Sequence, residues 1–407
     1  MSNRSPQRYK FIAKEYILTK NTMITVKQIS SKRDKKKFFK FLIDLYRGNK
    51  YAAPNLYMDE FAEFDPEIND AFRFCDCKMF LAYKDGKIAG RVAGLWHRGA
   101  NEKFGVKQLR FTRFDVIDDF EVTKALFGEL LKWAKELGMD EIIGPISFSD
   151  LNEEGMLIEG FDKPSTYIEI YNYPYYVKHM EKLGAYKAAD WNCYVLRVPD
   201  EIDERYLKLA DMIAKRNGYE LLDIKYLLKH DKKQLDKYIM ECLTVLDEAF
   251  AELYGTSPLS EKQKAREMKT VYMALKPELA AIVVKDGKVV SYGFMMPSMI
   301  EVLQKGRGKI FPFGILPYIR AMKNVEVADM MSIGVTKEHK NKGSVAMIIA
   351  SCLKGVKELG VKYVETGPEL DYNDNVQNLW KNFDRELVKK HRCWGMKVEE
   401  LDKLLNG

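Results

Sequence analysis

Hydrophobic and polar positions follow the same order twice along this chain of 407 residues. In the first copy, residues 80–95 hold two apolar runs around a Lys-Asp-Gly-Lys turn, and residues 130–146 hold a helix-like segment ending in Lys-Glu-Leu-Gly. The second copy repeats both segments at 281–296 and 352–370. Solenoid repeats span only about 20–50 residues. The pattern therefore indicates duplication of one whole domain.

The pattern also predicts the elements of each copy. Asp85-Gly86 is a type I′ turn signal between two strand-like runs, and apolar residues from Val122 to Leu137 recur at helical spacing. The first copy is predicted to contain a strand at 23–29, a helix through 38–46, three strands ending near 117, a helix up to Gly138, a strand at 141–146, a helix near 173–183 and a last strand near 190–198. This order predicts an α+β fold.

Size and composition fit two such domains. The chain is 46% hydrophobic and 31% charged, and it exceeds the length at which one core usually keeps growing. We expect an N-terminal extension at 1–22, an N-terminal domain at 23–199, a connecting helix at 200–218 and a C-terminal domain at 219–407. We find no apolar stretch long enough to span a bilayer and no signal-peptide core, which predicts a cytoplasmic protein without a membrane partner.

Charge and metal-ligating residues narrow the function further. A net charge of +7 is mild for this length, and the basic residues are dispersed, so nucleic acid is not an expected partner. The six cysteines are scattered except for Cys75 and Cys77, and the five histidines are isolated. We therefore predict reduced cysteines and no metal site.

The element order of both copies resembles the GNAT acyltransferase fold, over roughly 23–199 and 219–398. The resemblance implies two tandem GNAT-like domains, each with a mixed, splayed central sheet flanked by helices. It also implies that acyl-CoA, with acetyl-CoA as the expected donor, lies in the V-shaped opening between the fourth and fifth strands. In that family, glycines after the fourth strand expose N–H groups at a helix N-terminus, which can hold a pyrophosphate. Segments such as Asp59-Glu60-Phe61 and Tyr171-Asn172-Tyr173 resemble an uncharacterised bacterial group of tandem GNAT-like proteins.

The second copy carries the better match to this coenzyme loop. One family glycine is kept, lysines stand where glutamine or arginine is usual, and an amphipathic helix follows. An exposed lysine-rich loop is the simpler alternative, but the flanking elements favour a coenzyme site. The residues that the resemblance assigns to coenzyme binding are Ile333, Gly334, Val335, Lys340, Lys342, Gly343, Ser344, Val345 and Asn375.

The first copy has an acidic loop at the equivalent position. Asp115, Asp118, Asp119 and Glu121 would repel a pyrophosphate, and the loop contains no glycine. We therefore expect one coenzyme per chain, bound in the C-terminal domain.

Acyl transfer to an amine needs a base for the amine and usually an acid for the departing thiolate. The resemblance makes Asp329, Glu365 and Glu369 the candidate bases. The family tyrosine is replaced by Trp380 in the second copy and by Met180 in the first, which leaves Tyr372 as a candidate acid out of register. Another group or water then protonates the thiolate, or catalysis is weak or absent.

Each of two long segments has two possible roles. The excursion at 147–170 is either a functional loop or an Ω-loop that covers the sheet and contacts the partner domain. The apolar insertion at 296–324 forms a wall over the acceptor groove or simply packs against the core. The leading function is acyl-CoA-dependent N-acyltransfer to a small-molecule or peptide amine. The alternatives are a Fem-like aminoacyl-tRNA-dependent transferase and a catalytically inactive binding protein.

Overall fold

The computed structural model describes residues 23–149 and 151–407. The extension predicted at 1–22 lies outside the described residues. The first half of the chain contains β1 (Ile24–Ile29), α1 (Lys32–Leu45), α2 (Tyr57–Glu63), β2 (Cys75–Lys84), β3 (Lys87–His97), α3 (Arg98–Phe104), β4 (Gln108–Val116), α4 (Phe120–Glu136), β5 (Glu141–Gly144), β6 (Met156–Glu159), α5 (Tyr175–Lys182) and β7 (Tyr186–Arg197).

The second half repeats this order with additional helices. It contains α6 (Glu204–Asn217), β8 (Glu220–Leu221), α7 (Ile224–His230), α8 (Lys232–Phe250), α9 (Glu261–Ala274), β9 (Ala280–Lys285), β10 (Lys288–Pro297), α10 (Ile300–Gly306), α11 (Ile315–Lys323), β11 (Val327–Val335), α12 (Ser344–Leu359), β12 (Tyr363–Glu365), β13 (Glu369–Leu370), α13 (Asp374–Gln377), β14 (Arg385–Lys397) and α14 (Val398–Asn406). The predicted α+β class is confirmed.

The duplicated Lys-Asp-Gly-Lys segments form the two predicted hairpins. Asp85 and Gly86 have φ angles of 50° and 78°, and Asp286 and Gly287 have 50° and 71°. Both central residues of a type I′ turn need positive φ, which explains the Asp-Gly pair at each turn. These turns set the pairing of β2 with β3 and of β9 with β10.

The strands of the two halves join in one sheet, and the halves exchange their long late strands. The strand order is β1-β2-β3-β4-β5-β14-β7-β12-β11-β10-β9-β8. Thus β7, from the first half, pairs with β12 of the second, while β14, from the second half, pairs with β5 of the first. The element order alone placed β7 at the end of the first copy, without this exchange. The domain boundaries themselves stay predictions.

The exchange divides each hydrophobic core between distant parts of the chain. Trp394, Met396 and Leu401 pack into the core built around α4 of the first half. In return, Tyr194 and Leu196 of β7 pack with residues of α12 and β12. Each half therefore depends on a strand from the other for part of its buried apolar surface.

Both halves open between their fourth and fifth strands. In the second half, β11 pairs with β12 only from Val327 to Asp329. A bulge shifts the pairing of β11 with β10 at Phe294/Met295 and leaves Met331 as an extra residue. Bulges bend and twist a strand, so β11 diverges from β12 beyond this point. The divergence creates the V-shaped opening that the sequence predicted.

Candidate functional site

A cavity of about 400 Å³ occupies the opening between β11 and β12 and extends towards the first half. Its apolar wall comes from β10, β11, α8 and α12, including Leu246, Phe294, Met296, Met331 and Ile349. Its other end is lined by carboxylates from α2, α9 and the 147–170 excursion. Volumes of 300–1,000 Å³ with apolar walls and few polar groups are typical of ligand sites.

Glu369 is the predicted base that lines this cavity. Its Oε1 accepts a hydrogen bond of 2.7 Å from the indole N–H of Trp380. Its Oε2 is buried and has no hydrogen-bond partner among the described residues. Burial raises the pKa of Glu369 to about 7, even though Trp380 and Arg385 act in the opposite direction. A carboxylate with a pKa near neutrality is suited to accept a proton at physiological pH.

Trp380 stands where the resemblance predicted a tyrosine, and its indole N–H holds the carboxylate of Glu369. Trp380 is itself buried and packs in the core of the second half. An indole N–H donates but cannot supply a proton to a thiolate as a phenol can. Trp380 thus orients the base and does not take the place of the acid.

Asp329 and Glu365 come together beside the cavity instead of lining it. They are register neighbours on β11 and β12. The ammonium of Lys389, on the exchanged strand β14, forms ion pairs with Glu365 and with Glu169 of the excursion. Burial raises the pKa of Asp329 well above its ordinary value, and the neighbouring carboxylates of Glu365 and Glu169 act in the same direction. Burial thus favours the neutral form of Asp329, whereas the carboxylate of Glu365 is paired with Lys389 of the exchanged strand.

Glu169 also lies near Cys193 and His391, and one donor atom from each falls within 4.8 Å of the others. Sequence spacing alone does not reveal this group, because Glu169, Cys193 and His391 are far apart in the chain. These three residue types can ligate a metal ion. The ammonium of Lys389, however, already supplies a cation beside Glu169.

The predicted coenzyme loop lies at the start of α12. Gly343 is the N-cap residue, with φ of 88°, and no side chain of the described chain caps this helix. Lys340 and Lys342 are exposed, while Ser344 and Val345 open the helix. Uncapped N–H groups with nearby lysines can bind an anion. The fold also brings α6 against this loop, since a Cβ on Gly343 would lie 2.8 Å from Ile213 Cδ1.

The other predicted coenzyme residues differ in position. Ile333, Gly334 and Val335 pair with β10 on one side, and they lie beyond the part of β11 that pairs with β12. Their strand therefore borders the opening, but only Ile333 of the three lines the cavity. Asn375 is exposed on α13, and Tyr372 is 59% exposed and does not line the cavity.

The acidic loop of the first half has a different helix start. The Asp119 side chain caps α4 by accepting a hydrogen bond of 3.0 Å from the Glu121 N–H. Asp115 is paired with the buried Arg91 at 2.7 Å, and Lys84 pairs with Asp119. Glu121 pairs with Lys124 at 3.3 Å, so three of the four carboxylates have a cationic partner. We expect no coenzyme here mainly because the Asp119 side chain already caps the N-terminus of α4. Repulsion between the carboxylates and a pyrophosphate is the lesser reason.

The carboxylates at the far end of the cavity were not among the predicted site residues. Arg113, at the bulge of β4, donates to Glu60 and to Glu63. Burial raises the pKa values of Glu153 and Glu267 to about 7. The sequence contained a signal, because Glu60 belongs to the Asp59-Glu60-Phe61 segment and Glu153 to the long excursion. Their convergence needed the three-dimensional structure.

Comparisons with known proteins agree with this fold. No protein-family model matches the chain. It is 23% identical over 380 residues to Protein YghO of Escherichia coli, covering 92% of this chain and 95% of that protein. It is 22% identical over 382 residues to the bacterial ceramide synthase of Caulobacter vibrioides, covering 92% of this chain and 97% of that protein. A tandem GNAT protein from the clavulanic acid biosynthesis pathway matches with a TM-score of 0.50 and 14% identity, covering 92% of this chain and 99% of that one. The chain therefore has a tandem GNAT-like fold.

Proposed function

We propose that this tandem GNAT-fold chain is an acyl-CoA-dependent N-acyltransferase whose active site is the cavity between β11 and β12. The amine nitrogen attacks the thioester carbonyl carbon, an amide C–N bond forms, and the C–S bond breaks to release coenzyme A. The observation that carries the proposal is Glu369, a carboxylate with a pKa near 7 and one unpartnered oxygen on the cavity wall.

The donor side of the proposal rests on the start of α12. The uncapped N–H groups after Gly343, with Lys340 and Lys342 nearby, hold the coenzyme pyrophosphate in this arrangement. The pantetheine arm then follows the border of β11 beyond Asp329, where no strand of the described chain pairs on the β12 side. This path leads the thioester towards the bulge at Met331 and Glu369.

Glu369 takes a proton from the attacking amine, and Trp380 keeps the carboxylate in place. The nitrogen gives up a proton as the amide forms, and a carboxylate with a pKa of about 7 can accept it near neutral pH. Tyr372 lies outside the cavity lining, so water protonates the departing thiolate in this scheme.

The acceptor is a long-chain amine. The surface of the cavity is mainly apolar and includes leucine, methionine, isoleucine and valine side chains, which suit an alkyl chain better than a polar acceptor. A relative of 22% identity is named a bacterial ceramide synthase, and a ceramide is the amide of a long-chain amino alcohol. The same walls favour a fatty acyl-CoA over acetyl-CoA as the donor.

The test is a matrix of donors and acceptors. Acetyl-, octanoyl- and palmitoyl-CoA are each incubated with sphinganine, dodecylamine or a lysine-containing peptide, and amide products are measured by mass spectrometry. We expect product with the long-chain amines and its loss in Glu369→Gln. Glu386→Gln, which changes an exposed carboxylate on β14, is the control. Product from the peptide alone, or full activity in Glu369→Gln, would refute the proposal.

A further inference from the structure

The insertion between β10 and β11 ends in a group of large apolar side chains that point into solvent. Phe311 is 78% exposed, Phe313 77%, Leu316 75% and Ile319 53%. We call these four residues the apolar tip. Phenylalanine, leucine and isoleucine are normally buried. Several of them exposed together in nine residues mark an interaction surface.

The apolar tip is held firmly by the residues beneath it. The Tyr318 hydroxyl donates a hydrogen bond of 2.6 Å to the Met273 carbonyl, and Pro317 is buried. Tyr318 and Met322 pack with Val302 of α10 and with Met299, the residue that precedes this helix. The inner face of α11 is therefore anchored, while Leu316 and Ile319, one helical turn apart, share its outer face. The exposure is built into the fold.

Basic residues lie on both sides of the apolar tip in the sequence. Lys305, Arg307, Lys309, Arg320 and Lys323 are all exposed. Residues 300–324 contain only one carboxylate, Glu301, which pairs with Lys305 and Arg320. Apolar residues next to lysines and arginines match the two layers of an anionic membrane surface, acyl chains below and phosphate groups above.

We propose that the apolar tip inserts into the interfacial layer of an anionic membrane and docks the protein there. No helix within the described residues is long and apolar enough to cross a membrane, and interfacial docking needs none. The absence of a spanning segment was the ground on which the sequence predicted no membrane partner. The absence of a spanning segment does not exclude docking through an exposed apolar surface such as the apolar tip.

The location of the apolar tip connects docking to the cavity. Phe294 and Met331 line the cavity, and they pack in the same cluster as Tyr318 and Met322 of α11. A docked protein would thus hold this wall of the cavity near the lipid surface. This part of the inference rests on the proposed function, since a long-chain amine would reach the cavity from the membrane.

Vesicle sedimentation tests the docking. The full chain is mixed with vesicles of phosphatidylcholine alone or with 30% phosphatidylglycerol. We expect binding to the anionic vesicles, at least tenfold weaker binding in the double variant Phe311→Ser, Phe313→Ser, and roughly fivefold weaker binding for each basic charge removed, as in Lys323→Gln. Met212→Ser and Leu404→Ser remove exposed apolar side chains elsewhere and should bind like the parent.

Three outcomes would overturn the inference. They are equal binding to neutral and anionic vesicles, unchanged binding in the tip variant, and no vesicle binding together with a tip-dependent dimer in sedimentation velocity. Octylamine is a soluble acceptor that needs no membrane, so tip variants should acylate it at the parent rate. The protein could bind vesicles through the apolar tip and yet acylate no amine. That result would refute the proposed function and still support the docking inference.

Discussion

Replacing Glu369 with glutamine removes one buried carboxylate and keeps the acceptor oxygen that faces Trp380. The side chain keeps its shape, and the 2.7 Å hydrogen bond from the indole N–H can still form. What disappears is the oxygen that can take a proton. The substitution therefore separates the chemical role of Glu369 from its structural one.

The expected effect on catalysis follows from the role of a general base. Positioned bases contribute about 10²–10⁴-fold to the rate, so we expect kcat/KM to fall by roughly that factor. In the parent protein, kcat/KM should rise with pH through the pKa of Glu369, which is about 7. That rise should be missing from the residual activity of Glu369→Gln.

The expected effect on stability has the opposite sign. Burial raises the pKa of Glu369 from 4.5 to about 7, so between these values the folded state holds a proton that the unfolded state has lost. The free energy of unfolding therefore falls as pH rises through this window, by at most about 3 kcal/mol at 1.36 kcal/mol per unit. Glutamine does not ionise, so this pH-dependent cost is absent from the variant. Glu369→Gln should be more stable than the parent at pH 8 and similar to it at pH 4.5.

Urea unfolding at the two pH values measures the difference, and steady-state assays with acyl-CoA and a long-chain amine measure the activity. Glu386→Gln should change neither quantity. Lower stability of Glu369→Gln at pH 8 would mean that the carboxylate is stabilised by contacts, contrary to its unpartnered oxygen. A flat pH profile in the parent would remove Glu369 from the mechanism.

Three further substitutions test other parts of the structure. Gly343→Val should weaken acyl-CoA binding in calorimetry, because φ of 88° disfavours a β-branched residue; unchanged affinity would place the coenzyme elsewhere. Met396→Ala should lower the free energy of unfolding by about 2–5 kcal/mol in urea; a much smaller loss would contradict its 1% exposure in the core of the first half. Lys389→Met should lower the free energy of unfolding by about 3–5 kcal/mol at pH 8, since Glu169 and Glu365 lose their buried partner. Urea unfolding at pH 5, where the carboxylates take up protons, should show a smaller loss. Equal losses at both pH values would argue against the ion pairs.

Elements fixed by local chemistry were predictable from the sequence. The Asp-Gly turns need positive φ at adjacent positions, and α4 carries its apolar residues at helical spacing over four turns. The order of these elements was enough to indicate the duplicated fold. In both cases the decisive contacts lie within a few residues of each other in the chain.

The strand exchange was not predictable in the same way. β7 and β14 are both long strands at the ends of equivalent copies, and each would satisfy the fold of its own half. The exchanged arrangement includes contacts between distant segments, such as the ion pair of Lys389 with Glu169, which lies 220 positions away in the chain. Periodicity shows that a strand exists but carries no information on which edge it joins.

In the candidate site, too, some features were predictable from the local sequence and others depend on contacts between distant segments. Glu369 was named from the sequence, because it follows the fifth strand of the second copy. Its hydrogen bond with Trp380 spans 11 positions, and the carboxylates at the far end of the cavity come from three separate segments. Burial sets the pKa of Glu369, and burial depends on packing that no single segment contains.

The two copies differ in how each helix after the fourth strand begins, and this difference argues for one coenzyme per chain. Asp119 occupies the N-terminus of α4 with its own carboxylate, whereas Gly343 leaves the N-terminus of α12 open beside two lysines. An occupied N-terminus has already satisfied the N–H groups that a pyrophosphate would need. The excursion and α2 of the first half supply the acidic end of the cavity. In the function proposed above, the second half therefore holds the donor and the first half completes the acceptor site.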